Sequence, residues 1–141
     1  MKAQKGMNKA ENGELKYGYR REIEAPFEEV VTRTRKALMD EGFGVLTEID
    51  MREKLKEKLN VEFRNYLILG ACNPPLAHSA LMEDLDIGLL LPCNVIVYEN
   101  EDSTSVAAID ASKMLLVAEN SNLETTAETV NGSLRNAIDS V

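Results

Sequence analysis

Two β-patterned runs, Asn94–Glu99 and Thr104–Asp110, are separated only by the polar turn Asn100-Glu101-Asp102-Ser103. A connection this short joins antiparallel neighbours, because a parallel pair needs a crossover of about a dozen residues or more. Helix-patterned segments lie on both sides of the hairpin. Phe27, Val30, Val31, Thr34, Ala37 and Leu38 recur every three or four positions near one end. Leu123, Ala127, Val130, Leu134, Ile138 and Val141 do so near the other, so each segment has one apolar face to bury. The pattern predicts an α+β fold: an antiparallel sheet with its main helices on one face.

The remaining elements fit between these anchors. Tyr17–Ile23 alternates weakly and reads as a first strand at a sheet edge. Pro26 opens the first helix, Glu28 and Glu29 suit its first turn, and Gly42 ends it. Phe43–Ile49 reads as a second strand. Asp50, with Glu53 three residues on, caps a short helix with Met51, Leu55 and Leu59 as its stripe and Asn60 as a left-handed stop. Tyr66–Ala71 is a third strand. Asn73-Pro74 starts a helix, with Leu76, Ala77, Ala80, Leu81 and Leu85 facing inward. A short helical piece around Ser112–Val117 precedes the last helix, expected from Asn122 to Asp139 and weakened slightly by Gly132.

The chain has 141 residues, enough for one domain with a core that needs neither disulfides nor a structural metal. Residues 1–15 read as a flexible N-terminal tail and 16–141 as a single α+β domain. Tryptophan is absent, so the core must be aliphatic. The formal net charge is −8, and from Glu99 onward eight acids face only Lys113 and Arg135. Nucleic acid and anionic membranes both call for a basic patch, and no basic stripe is visible. No apolar run approaches the roughly 20 residues of a membrane span. Residues 1–13 lack the apolar core of a signal segment. Two cysteines make no disulfide framework. The expected location is the cytoplasm, with both thiols reduced.

The rare, chemically capable residues cluster. Leu69-Gly70-Ala71-Cys72-Asn73-Pro74-Pro75-Leu76-Ala77-His78 holds one cysteine and the only histidine, and Leu91-Pro92-Cys93-Asn94 holds the other cysteine. Cys72 ends a strand just before a helix N-terminus, where the dipole can lower a thiol pKa. It can equally be a small buried residue. If the two cysteine-bearing strands are neighbours, Cys72, Asn73, His78, Cys93 and Asn94 could line one small-ligand pocket. Two thiols and one imidazole fall short of a closed zinc site, and their intervals match no zinc pattern. His78 should sit on a helix flank, as an exposed residue or a base beside the pocket. Glu48 and Asp50 could pair as carboxylates, but a strand end and a helix cap account for both. Gly-rich phosphate loops, the G-x-S-x-G elbow and C-x-x-C are absent.

Three stretches carry a family resemblance: Phe43-Gly44-Val45-Leu46-Thr47-Glu48-Ile49-Asp50; Ile68 to His78; and Gly88-Leu89-Leu90-Leu91-Pro92-Cys93-Asn94-Val95-Ile96-Val97-Tyr98. Together they resemble the domain of unknown function 302 family over roughly Tyr17 to Leu134. The matching positions are Glu48, Asp50, Lys58, Cys72, Asn73, Pro74, Pro75, His78, Pro92, Cys93 and Asn94. Asn60 replaces a usual Gly and Asn65 a common Pro. The resemblance implies a TATA-box-binding-protein-like fold, β-α-β(4)-α, and a small cytosolic homodimer. It assigns no activity, so it supplies no catalytic residues and names no cofactor.

Three functional readings follow, in order of preference. The first is a binding module holding a small ligand or a soft metal near Cys72 and Cys93. The second is a structural protein that dimerises through a strand edge. The third is a thiol-dependent redox protein with Cys72 as the thiolate.

Overall fold

The computed structural model describes residues 13–141. The part of the expected tail within residues 1–12 lies outside the described residues. The next residues are paired: Gly13–Glu14 forms a two-residue strand, β1, against the following strand. The chain then runs β2 (Gly18–Ile23), α1 (Phe27–Asp40), β3 (Gly44–Asp50), α2 (Met51–Leu59), β4 (Tyr66–Cys72), α3 (Pro74–Glu83), a 3-10 turn over Leu85–Leu90, β5 (Cys93–Glu99), β6 (Thr104–Ile109), α4 (Ala111–Leu116), a 3-10 turn over Ser121–Leu123, and α5 (Glu124–Ser140).

All six strands form one antiparallel sheet in the order β1-β2-β6-β5-β4-β3. The hairpin β5–β6 sits at its centre. β2 is therefore not the edge: β1 covers its outer side, the chain reversing over Leu15–Gly18, where the Leu15 N–H donates to the Gly18 carbonyl at 2.7 Å. The true long edge is β3, whose register with β4 shifts between Val45 and Thr47.

The pleat divides the sheet into two faces. Ile23, Leu67, Leu69, Ala71, Cys93, Val95, Val97, Val106 and Ala108 point to one side. There they pack under Phe27, Val30, Val31 and Leu38 of α1 and Val130, Leu134 and Ile138 of α5. This is the antiparallel sheet with two long helices on one face, and the helices bury the stripes read from the sequence. The caps also form as expected. Asp50 Oδ1 accepts from the Glu53 N–H at 3.0 Å, Asn73 Oδ1 accepts from the Leu76 N–H at 3.3 Å, and Asn60 adopts φ 54°.

A smaller cluster of Ala80, Ile87, Leu115, Leu123 and Ala127 binds α3 to α4 and α5. Leu85, expected to face inward, is 83% exposed. The helix stops at Glu83, so the 3.6-residue period no longer applies, and Ile87 takes the buried place instead. The α2 stripe is a second difference. Met51 and Leu55 are only partly covered and Leu59 is exposed, because α2 links the edge strand β3 to its neighbour β4 and no other described element closes over it.

Candidate functional site

The two cysteine corners fold as neighbours. The β4–β5 register sets Ala71 opposite Cys93 and Gly70 opposite Asn94. Alternation then separates the residues. Cys93 joins the helix-covered face and is 6% exposed, whereas Asn94 is exposed on the other side. Burial first, and the nearby Cys72 second, push the Cys93 thiol up to about 11. Burial also pushes Cys72 up. These directions oppose the lowered pKa expected at a helix N-terminus, because desolvation penalises the thiolate. At neutral pH both groups are thiols.

Asn73 caps α3, and His78 stands exposed on that helix. Glu48 pairs with Arg35 at 2.6 Å and Asp50 caps α2, so this carboxylate pair has structural work at each position. Among the described residues, no group of three or more His, Cys, Asp or Glu is placed to hold a metal ion. No described helix is long and apolar enough to cross a membrane.

The sheet's second face has a different character. Among the described residues no helix lies across it, and the sheet curves into a hollow of about 770 Å³. That volume falls in the range of about 300–1,000 Å³ typical of small-ligand sites. Its floor comes from alternate residues of four strands: Gly18 and Arg20 of β2, Ala107 and Ile109 of β6, Asn94, Ile96 and Tyr98 of β5, and Tyr66 of β4. Leu15, Lys16 and Tyr17 wall one side and Phe63 and Arg64 the other.

Small side chains make the depth. A Cβ at Gly18 would sit 2.8 Å from the Ala108 carbonyl oxygen, so only glycine lets β2 lie this close to β6. Ala107, beside Arg20 in the register, adds only a methyl group. Around this low floor stand aromatic rings. Tyr66 and Tyr98 face each other across β4 and β5, with centroids 5.3 Å apart and planes within 6°. Phe63 tilts against Tyr66 at 6.1 Å. The Arg64 guanidinium lies 5.9 Å from the Tyr98 ring centre, within cation–π range.

Arg20 is the buried charge of this face, at 3% exposed. Its Nη1 donates to the Tyr98 hydroxyl at 3.1 Å, and its Nη2 lies 3.7 Å from Glu22 Oε2. Burial, with lesser contributions from Tyr98 and Tyr17, raises the Tyr66 phenol. Tyr66 therefore stays neutral through the physiological range and remains a donor.

Of the five residues singled out from sequence, Asn94 lines this hollow; Cys72, Asn73, His78 and Cys93 are not among its lining residues. The sequence reading missed Lys16, Arg20, Phe63, Arg64, Tyr66 and Tyr98. A signal existed in the hairpin: Asn94, Ile96 and Tyr98 alternate with Cys93, Val95 and Val97, so the less apolar set faces away from the core.

Fold and hollow together define an α+β module with helices on one side of a curved sheet and a concave, aromatic-lined face on the other. The chain belongs to the family described as Domain of unknown function DUF302, which matches residues 19–141. A solved relative, the crystal structure of an uncharacterized conserved DUF302 protein from Bacillus stearothermophilus, superposes with a TM-score of 0.81. The two are 28% identical, and the match covers 89% of this chain and 98% of that one. The comparison with curated proteins finds no match.

Proposed function

We propose that the protein is a cytoplasmic small-ligand-binding module whose site is the concave sheet face, with Asn94 as the link to the cysteine corner. One observation carries this reading. A hollow of ligand size is built from four strands and holds a buried arginine and stacked tyrosines on a sheet face that no described helix covers. A sheet face used only for stability would be expected to bury its aromatic residues under a second layer.

The sequence-derived site at Cys72, Asn73, His78, Cys93 and Asn94 enters as the neighbouring corner of the same module. Soft-metal binding has less support, since the raised thiol pKa values oppose the thiolate form that such a metal needs. The same argument weakens the redox reading of Cys72. Nucleic acid is not the proposed occupant: three basic side chains line the face in a chain of net charge −8. An open, curved sheet over two helices is consistent with the TATA-box-binding-protein-like arrangement, which carries no function with it.

The test is a melting-temperature screen of purified protein against small organic anions, cations and neutral aromatic compounds, with Zn²⁺ and Cu⁺ in separate wells. At least one organic compound should raise the melting temperature, by mass action on the folded state. The protection should be lost in Ala107→Leu, which fills the floor. No shift with any compound, or a shift unchanged by that substitution, removes the reading.

A homodimer formed through the β3 edge is the second reading. It is favoured by the exposure of Leu46 (66%) and Ile49 (42%) on the strand that ends the sheet. Sedimentation equilibrium should show a dimer that Leu46→Lys dissociates; a monomeric parent protein at high micromolar concentration refutes it.

A further inference from the structure

We propose that a second, smaller hollow, where α4 meets the start of α5, docks another protein through a basic amphipathic segment. An apolar side chain of that segment sits in the hollow, and its lysines or arginines meet an acidic rim. The site is independent of the concave sheet face and stands whether or not that face binds a ligand. Its volume is about 270 Å³. That lies just under the range of about 300–1,000 Å³ typical of small-ligand sites, so the hollow suits an anchoring side chain better than a whole ligand. Leu115, Leu123 and Ala127 give it an apolar floor, and Glu119 and Glu124 are the charged residues that line it. The floor belongs to the small cluster that joins α3, α4 and α5. The elements of this cluster also carry bare apolar side chains: Leu116 and Val117 at the end of α4, and Leu85 and Leu89 on either side of buried Ile87. Single apolar residues on a surface are ordinary, whereas several beside one hollow mark an interaction site.

Charge decides the occupant. Between Arg64 and Arg135 the sequence holds a single Lys or Arg, Lys113. Its ammonium donates to the Lys16 carbonyl at 3.0 Å, and Arg135 pairs with Glu14 and Asp110. Neither cation lines the hollow. Glu83, Asp86 and Glu128 stand exposed on the flanking elements, so the acids at this end of the molecule outnumber the bases. A second copy of the chain would bring the same acids to the contact and be repelled, and an anionic surface would be repelled likewise. A basic partner is steered in by the same field. A helix with an apolar stripe and a basic margin supplies both the anchor and the countercharge, as in other helix-in-groove contacts. The rim also has a local oddity that makes it testable. Glu119 holds φ at 50°, a left-handed conformation that Asn or Gly adopts more readily. Its carboxylate can therefore be removed by a residue that suits the backbone better than Glu does.

The experiment uses three peptides of about fourteen residues, long enough for a marginal helix. One is a leucine–lysine amphipath, the second has glutamate in place of lysine, and the third has serine in place of leucine. Each is titrated into uniformly ¹⁵N-labelled protein at low salt and followed by amide chemical shifts. The leucine–lysine peptide should bind with its largest shifts at Leu115, Leu116, Glu119, Leu123 and Ala127. The glutamate peptide should not bind there. The serine–lysine peptide should bind at least about tenfold more weakly, the scale of one lost apolar anchor. Glu119→Asn and Glu124→Gln should each weaken the leucine–lysine peptide about two- to threefold, less at high salt. Leu116→Ser, at an exposed position, should weaken it without lowering the melting temperature. Glu57→Gln removes the same charge from α2 and should change nothing. Shifts centred elsewhere, equal binding of the serine–lysine peptide, an equal loss in Glu57→Gln, or no binding of any peptide overturns the proposal. Concentration-dependent shifts at Leu116 without peptide would assign the surface to a second copy and overturn it too.

Discussion

The two faces of the sheet are made by the same strands and answer to different rules. On the helix side, Val95, Val97, Val106 and Leu69 are fully buried and pack to the density of a protein interior. On the open side, their immediate neighbours Asn94, Ile96, Tyr98 and Ile68 are half-buried or exposed. One residue step along β5 thus separates a position that stabilises the fold from one free to recognise something else. Two of the buried polar residues, Arg20 and Ser105, lie on the open side. There Arg20 meets Tyr98, and Ser105 accepts from the Asn100 amide at 2.9 Å.

The sharpest way to break this contrast is a pair of adjacent truncations in β4. Leu69→Ala should cost about 3 kcal/mol by urea unfolding, as expected for a fully buried leucine. Ile68→Ala, one residue away on the open face, should cost about 1 kcal/mol. Equal losses would mean that the open face is packed like a core.

A smaller effect is expected where the open face is closest packed. A Cβ at Gly70 would lie 2.1 Å from Thr47 Oγ1 and 2.7 Å from Pro92 Cγ. Gly70→Ala should therefore destabilise by about 1–3 kcal/mol through overpacking, and adding Thr47→Ala should recover part of it. A neutral Gly70→Ala would show that β3 moves freely against β4.

The mildest test uses pH. The Cys93 thiol sits at about 11 in the fold against an ordinary value of 9.0. The folded state therefore holds its proton more tightly than the unfolded chain. Its contribution is fully present below pH 9 and is lost as pH rises towards 11. Tyr66, also raised, adds a loss of the same sign at higher pH. Unfolding free energy measured across this window should fall less steeply in Cys93→Ala. An unchanged slope would place the Cys93 sulfur in water rather than in the covered layer.

Much of the architecture was legible because it rests on local signals. The turn at Asn100–Ser103 dictated the central hairpin, and caps at Asp50 and Asn73 marked helix starts that the structure reproduces. The helix stripes through Leu38 and Leu134 follow from periodicity alone. What escaped depends on residues distant in sequence. The open hollow combines Arg20 with Tyr98 and Ala107, seventy-eight positions apart in the first pair, and only sheet order brings them together. Whether the cysteine corners lie side by side was open in the sequence, and the β4–β5 register makes them neighbours. Whether they shared a face depended on a pleat parity that one residue of register can invert. The α2 stripe misled because a period says which side of a helix is apolar, not whether anything comes to cover it.

The sheet's two ends guard against runaway polymerisation. At one end the outermost strand has two residues among those described, a short template for another chain. At the other, the irregularity between Val45 and Thr47 interrupts the ladder partway along the edge. A strand arriving there finds a broken template, so contact can end with a single capped pair, whereas a straight edge would recruit copy after copy into a fibre.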